Sequence, residues 1–188
     1  MTAQSTSGRA TIIHGYFATP DDHWFRWLAD QLESLGLHTS VPTLPNPQNP
    51  DPEAWEDAVA AAVGTPDEHT VIVAHSLGCL TALRHLRSLR GPWRVGTLIL
   101  VAGFTEHLPS LPDLDNYIGD GCDLNGIRDH IDRIVVLRSD NDPLVPAELT
   151  DRLSEQLGVR IQVVPGAGHF LATDGFTTLP DAVDAVRR

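Results

Sequence analysis

Three things are scarce in this chain, and each scarcity removes a class of protein. Only two of its 188 residues are cysteines, Cys79 and Cys122, and they form no C-x-x-C pair. That excludes a disulfide framework and a zinc ribbon, and suits a reducing compartment. No run of about 18 apolar residues occurs, so no membrane-spanning helix is expected. The opening MTAQSTSGRA lacks the basic-then-apolar order of a secretion signal, which makes a soluble cytoplasmic protein the expectation. Positive charge is scarce too: 13 Lys and Arg against 25 Asp and Glu give a formal charge of -12. A field of that sign repels phosphate backbones and anionic lipid, so neither nucleic acid nor a membrane surface is expected as a partner.

What remains is globular: 41% hydrophobic and 20% charged residues. The length suits one domain whose core needs no disulfide or metal staple. Residues 1–8 are small and polar and read as a flexible tail, leaving 9–188 as the single domain.

Short β-branched runs alternate with stretches at helical spacing, the pattern of strands joined by crossover helices around a parallel sheet. The runs are residues 10–14 (ATIIH), 38–41, 70–74 (TVIVA), 96–101 (GTLILV), 133–138 (RIVVLR) and 159–164 (VRIQVV). Most are continuous in Ile, Val and Leu, as strands covered on both faces require. Thr19-Pro20-Asp21-Asp22 predicts a helix start and Gly36 its stop, with Phe25, Leu28, Leu32 and Leu35 on one face. Asp51-Pro52-Glu53 opens a second helix burying Trp55, Val59 and Val63. Further helices are expected after Ser76 and over about 146–157 and 178–187. Residues 41–52 hold five prolines and predict a stiff extended loop. Residues 102–132 are too long for a bare connection, so they carry either function or a short helix near 125–130.

The sharpest local signal is Ala74-His75-Ser76-Leu77-Gly78, directly after a strand and before a helix. It is a relaxed G-x-S-x-G nucleophile elbow, whose turn is so tight that the positions two before and two after the serine must be small. The alternative is a serine that merely caps a helix. A serine nucleophile needs a neutral histidine to take its proton and a carboxylate to hold that ring in the useful tautomer. His169, in Gly166-Ala167-Gly168-His169-Phe170 after the last strand, is the candidate base. Asp142, in Ser139-Asp140-Asn141-Asp142-Pro143, is favoured as the carboxylate over Asp140, which suits bonding to backbone amides in its turn. The chain order Ser, Asp, His is that of hydrolases built on this elbow. In a sheet of order 2-1-3-4-5-6 the first strand lies beside the third, so the backbone amides of Tyr16 and Leu77 can form an oxyanion hole.

At this point the pieces HGYFATPDDHWFRWL, AHSLG, SDNDPLVP and GAGHFLATDGF together resemble the small serine hydrolases of the retinoblastoma-binding-protein-9 type, which include bacterial members. The resemblance covers about residues 11–186 and departs at Ala74, where the α/β-hydrolase superfamily commonly has glycine. It implies a minimal α/β-hydrolase fold: one doubly wound, mostly parallel six-stranded sheet with helices on both faces and no cap domain. It also implies the triad Ser76, Asp142 and His169, position by position.

The remaining candidates divide by context. Phe17, Phe104 and Phe170 follow strand ends and are expected to line an acyl pocket, whereas Trp24, Phe25, Trp27, Trp55 and Trp93 read as packing. His14 reads as a shaper of the turn after the first strand, His75 as packing and Cys79 as a small buried hydrophobe. Asp21, Asp22 and His23 read as helix-start residues, and no metal or other cofactor is expected. The expected activity is hydrolysis of small or short-chain acyl esters through an acyl-enzyme. Thioesterase, amidase or acyltransferase chemistry on the same residues is one alternative, and a non-catalytic interaction module on this scaffold is another.

Overall fold

The Ile- and Val-rich runs pair side by side into one sheet in the computed structural model, which describes residues 8–188. Residues 1–7 of the expected tail lie outside the described residues. Gly8 belongs to the fold, since its carbonyl accepts a hydrogen bond from His38 at 2.8 Å. The strands are β1 (Arg9–Ile13), β2 (His38–Ser40), β3 (Thr70–His75), β4 (Val95–Val101), β5 (Ile131–Ser139) and β6 (Ile161–Val164). They form a six-stranded sheet of order β2-β1-β3-β4-β5-β6 in which every pairing is parallel. The expected order is therefore observed, and the sheet is wholly rather than mostly parallel.

Side chains alternate across this sheet, and both faces are dry. Ile72 and Ala74 of β3, with Leu98 and Leu100 of β4, join the core beneath α2 (Pro52–Val63), α3 (Leu77–Ser88) and α5 (Ala147–Gln156). Val71, Val73, Ile99 and Val101 join the opposite core beneath α1 (Phe25–Ser34) and α6 (Pro180–Arg187). Two buried faces explain why these strands read as unbroken apolar runs rather than alternating ones.

Two local expectations change, and the short helix expected near 125–130 forms. The first helix begins at Phe25, not at Pro20. The Asp22 carboxylate instead accepts from the Thr19 amide at 2.7 Å and hydroxyl at 2.9 Å, and His23 takes a positive φ of 53° that no helix tolerates. Leu35 falls just past the end of that helix and is exposed, while Phe25, Leu28 and Leu32 are buried as the spacing predicts. Between β4 and β5 the chain makes three short helical pieces, Pro112–Leu114, α4 (Asp115–Ile118) and Ile127–His130. Their Leu114, Tyr117, Ile118 and Ile127 pack into the α3 face of the core. Arg84 of α3 donates to the carbonyls of Tyr117, Ile118 and Gly121, and Thr81 shares a 2.7 Å hydrogen bond with the Tyr117 hydroxyl. The second helix starts as expected, with the Asp51 carboxylate accepting from the Ala54 amide at 2.9 Å. No helix among the described residues is long and apolar enough to cross a membrane.

Candidate active site

The turn from β3 into α3 is forced into shape by crowding. Ser76 sits at φ 54°, ψ -124°, a conformation that side-chain-bearing residues rarely adopt. A methyl group added at Gly78 would stand 2.4 Å from the His14 carbonyl oxygen and 2.9 Å from that of Ile13, which is impossible without moving backbone. Gly15 on the facing turn is nearly as tight, its added methyl falling 3.0 Å from the Ser76 Cβ. The small residues of the motif are thus what lets β1 and α3 approach across the elbow. Ser76 makes no side-chain capping bond. Its hydroxyl lies instead 2.9 Å from Nε2 of His169, which sets aside the reading of a capping serine.

The other ring nitrogen of His169, Nδ1, is 2.8 Å from Oδ2 of Asp142. Both of these side chains are almost fully buried. Oδ1 of Asp142 accepts from the amides of Leu144 and Val145 at 2.8 and 3.0 Å, so the carboxylate is locked by the turn that carries it. With Nδ1–H donating to Asp142, Nε2 is free to accept from the Ser76 hydroxyl, the tautomer that can take up a proton from serine. Strands β3, β5 and β6 deliver the three residues to one edge of the sheet.

A family model of serine hydrolases matches residues 10–188. The chain belongs to the serine hydrolase family. It is 37% identical over 175 residues to the YdeN hydrolase of Bacillus subtilis (strain 168), covering 93% of this chain and 92% of that one. The crystal structure of the ydeN gene product superposes with a TM-score of 0.91 at 36% identity, over 96% of this chain and 97% of its own. A more distant relative is the serine hydrolase RBBP9 of Rattus norvegicus, 24% identical over 153 residues and 80% of each chain.

In this serine hydrolase the loop bearing His169 has little regular structure beyond the short turn Ala172–Asp174, and side chains hold many of its backbone groups. Asp140 accepts from the Gly166 amide at 2.7 Å and Asn141 from the Gly168 amide at 2.8 Å. Asp174 accepts from the amides of His169 and Leu171 at 2.9 and 3.1 Å, and His23 Nδ1 from that of Ala172 at 3.0 Å. The Trp24 indole donates to the Phe170 carbonyl at 3.2 Å, and His75 Nε2 to the His169 carbonyl at 2.9 Å. Asp140 therefore does bond a backbone amide as expected, but on the histidine loop rather than in its own turn. Gly168 is required there: its φ is +54° and an added methyl would lie 2.6 Å from the Asp174 carboxyl carbon. Sequence reading missed Asn141, His23, Trp24 and His75 as supports because those bonds join residues far apart in the chain, and missed Asp174 although its bond to the Leu171 amide three residues back is a local capping contact.

The turn after β1 has two neighbours that set its shape. The Phe17 amide donates to Pro47 at 2.9 Å and the Leu44 amide to His14 Nε2 at 3.1 Å, so the proline-rich loop docks on this turn. His14 is fully buried and held neutral, its pKa lowered by burial, which suits a ring that accepts a hydrogen bond. Leu77 is the first residue of α3, where an N–H has no carbonyl within its own helix to reach. Tyr16 is half-buried on the facing turn, brought close by the β1·β3 pairing that aligns Ile13 with Ala74.

The expected aromatic pocket is corrected. Phe104 and Phe170 have no accessible surface and pack in the two cores, because the residues after β4 and β6 turn inward rather than over the edge. Phe17 differs, being 61% exposed with its ring edge-on to Tyr16. An open cavity of about 450 Å³ adjoins Tyr16 and is lined by Gln48, Asn49, Asp113, Asp115 and Asn116 among others. A larger one, about 510 Å³, lies around Glu106, Glu148 and Arg152; neither cavity is lined by Ser76, Asp142 or His169, and only the first includes Tyr16. Cys79 is buried with its thiol toward the Ala74 carbonyl at 3.2 Å, and burial pushes its pKa up, so it is no thiolate. Asp21 pairs with Arg26, and Asp22 and His23 are used in the bonds described above, so all three have structural partners.

Proposed function

We propose that this serine hydrolase is a carboxylic-ester hydrolase acting through an acyl-enzyme, with Ser76, His169 and Asp142 as its catalytic triad. Ser76 attacks the ester carbonyl while His169 Nε2 takes its proton, and Asp142 steadies the resulting imidazolium. The amides of Tyr16 and Leu77 receive the negative oxygen of the tetrahedral intermediate, where one such donor contributes about 3 to 4 kcal/mol. Collapse expels the alcohol, protonated by His169, and water then releases the acid by the same steps in reverse roles. The observation that carries this reading is the 2.9 Å approach of the Ser76 hydroxyl to a buried imidazole whose far nitrogen is 2.8 Å from a carboxylate.

The substrate is a small-molecule ester with a short acyl chain. The open cavity beside Tyr16 supports this, since Gln48, Asn49, Asp113, Asp115 and Asn116 interrupt its apolar lining of Pro50, Pro112, Leu114 and Tyr117 and leave a long alkyl chain little continuous apolar surface. The two free cysteines fit a cytoplasmic setting. A fluorophosphonate probe is expected to label wild-type protein on Ser76 and to leave Ser76→Ala unmodified. Persistent labelling of that variant, or rates on matched thioesters or amides exceeding those on short p-nitrophenyl esters, would overturn the assignment.

A further inference from the structure

We propose that His75, the residue before the nucleophile, is a positioning residue for His169, holding the backbone of the general base against the end of β3. The proposal rests on the triad reading above. The His75 ring is buried against Trp24, Phe25, His23 and His169, with its centroid 5.0 Å from that of His169. Its Nε2 lies 2.9 Å from the His169 carbonyl oxygen, and a carbonyl only accepts, so Nε2 carries the proton. Nδ1 is then a bare acceptor, and it is buried with no hydrogen-bond partner.

That orphaned nitrogen is the telling observation. A pocket walled by aromatic rings would take a phenyl or leucine side chain without stranding a polar atom. What an imidazole adds over either is one N–H, and here that N–H reaches the main chain of the base. Burial, followed by the nearby His169, His23 and His14, lowers the His75 pKa well below its ordinary value, so the ring stays neutral and the donor stays in place. The consequence is mechanical: Ser76 and His169 lie 93 positions apart in the chain, yet residue 75 ties the second to the strand that ends beside the first. Misplacement of a base by about 1 Å can cost on the order of 100-fold in rate.

The test compares wild type, His75→Leu and His75→Gln for p-nitrophenyl acetate hydrolysis and for the rate of fluorophosphonate labelling. Removing the donor in His75→Leu is expected to lower kcat roughly 30- to 100-fold with KM within about twofold. His75→Gln, whose amide N–H can reach toward the Nε2 position, is expected to recover most of that loss. Equal kcat in His75→Leu, or a loss that His75→Gln does not recover, overturns the proposal while leaving the triad intact. Failure of wild type itself to label overturns the triad reading instead, and this proposal with it. Nitrogen-15 imidazole spectra of the wild-type protein give a readout that needs no variant to fold. They are expected to show His75 protonated on Nε2 and unchanged from pH 8 to 5, and an Nδ1-protonated or titrating ring overturns the proposal.

Discussion

The elbow that carries Ser76 and the loop that carries His169 meet at two hydrogen bonds, Ser76 to the His169 ring and His75 to the His169 carbonyl, but they are built in opposite ways. The elbow is made by sterics over five consecutive residues: a strand, a residue at φ 54°, and a glycine with no room for a methyl group. The loop is held by its own Asp174 and by side chains from distant segments, Asp140, Asn141, His23, Trp24 and His75, each holding one or two of its backbone groups. A motif held by its own crowding fails as a unit with the fold. A loop held by a distributed set of hydrogen bonds loses position first and stability later.

The largest expected effect lies where the two regions join. Asp142→Asn keeps the shape but permits the wrong tautomer of His169, and kcat is expected to fall by about ten-thousand-fold, read from ester hydrolysis against an unchanged melting curve. Next comes the elbow itself. Gly78→Ala drives a methyl into the His14 and Ile13 carbonyls and is expected to cost about 3 kcal/mol of stability in urea denaturation, with activity per folded molecule falling in parallel. The loop should behave otherwise: Asp174→Ala leaves the amides of His169 and Leu171 to solvent, expected to cost about 1 kcal/mol of stability but roughly tenfold in kcat. If Asp174→Ala proves to destabilise as much as Gly78→Ala, the contrast between the regions is broken.

The smallest effect is a pH dependence. His14, His23 and His75 all have pKa values lowered in the fold, chiefly by burial. The unfolded chain binds protons on these rings as pH drops through about 6.5, while the folded chain resists. Their contribution to stability is therefore complete above that pH and is lost as pH falls toward the lowered values. A decrease of a few degrees in Tm between pH 7.5 and 5.5 is expected. Hydrogen exchange should rise first in the loop after β6, where His23 Nδ1 must stay unprotonated to accept from Ala172. Uniform loosening of loop and elbow would argue against separate construction.

The same division explains what could be read ahead of the structure. The six strands, the positions of most helices and the elbow were legible because each depends on neighbours within a few residues: apolar runs, a capping Asp51, small residues flanking Ser76. Helix α1 starts later than its sequence pattern predicts because Asp22 bonds back to Thr19 and His23 breaks the helical path, a competition between two local bonding patterns that composition does not decide. The position of Phe104 and Phe170 after strand ends predicts a pocket wall. Which way a side chain turns after a strand depends on the packing beneath it, and here the cores claimed both.

From the amino-acid order alone came the alternation of strands and helices, the parallel sheet it implies and the Ser, Asp and His of the proposed triad, since pattern and residue type are properties of short stretches. Tertiary structure alone decided that His169 faces Ser76 at hydrogen-bond distance, that Asp140 bonds the His169 loop rather than its own turn, and that His75 joins the His169 carbonyl to the strand that ends beside Ser76. Those are choices among bonds between residues 26 to 94 positions apart. Only the packed sheet edge brings such partners within reach, and no local rule ranks them.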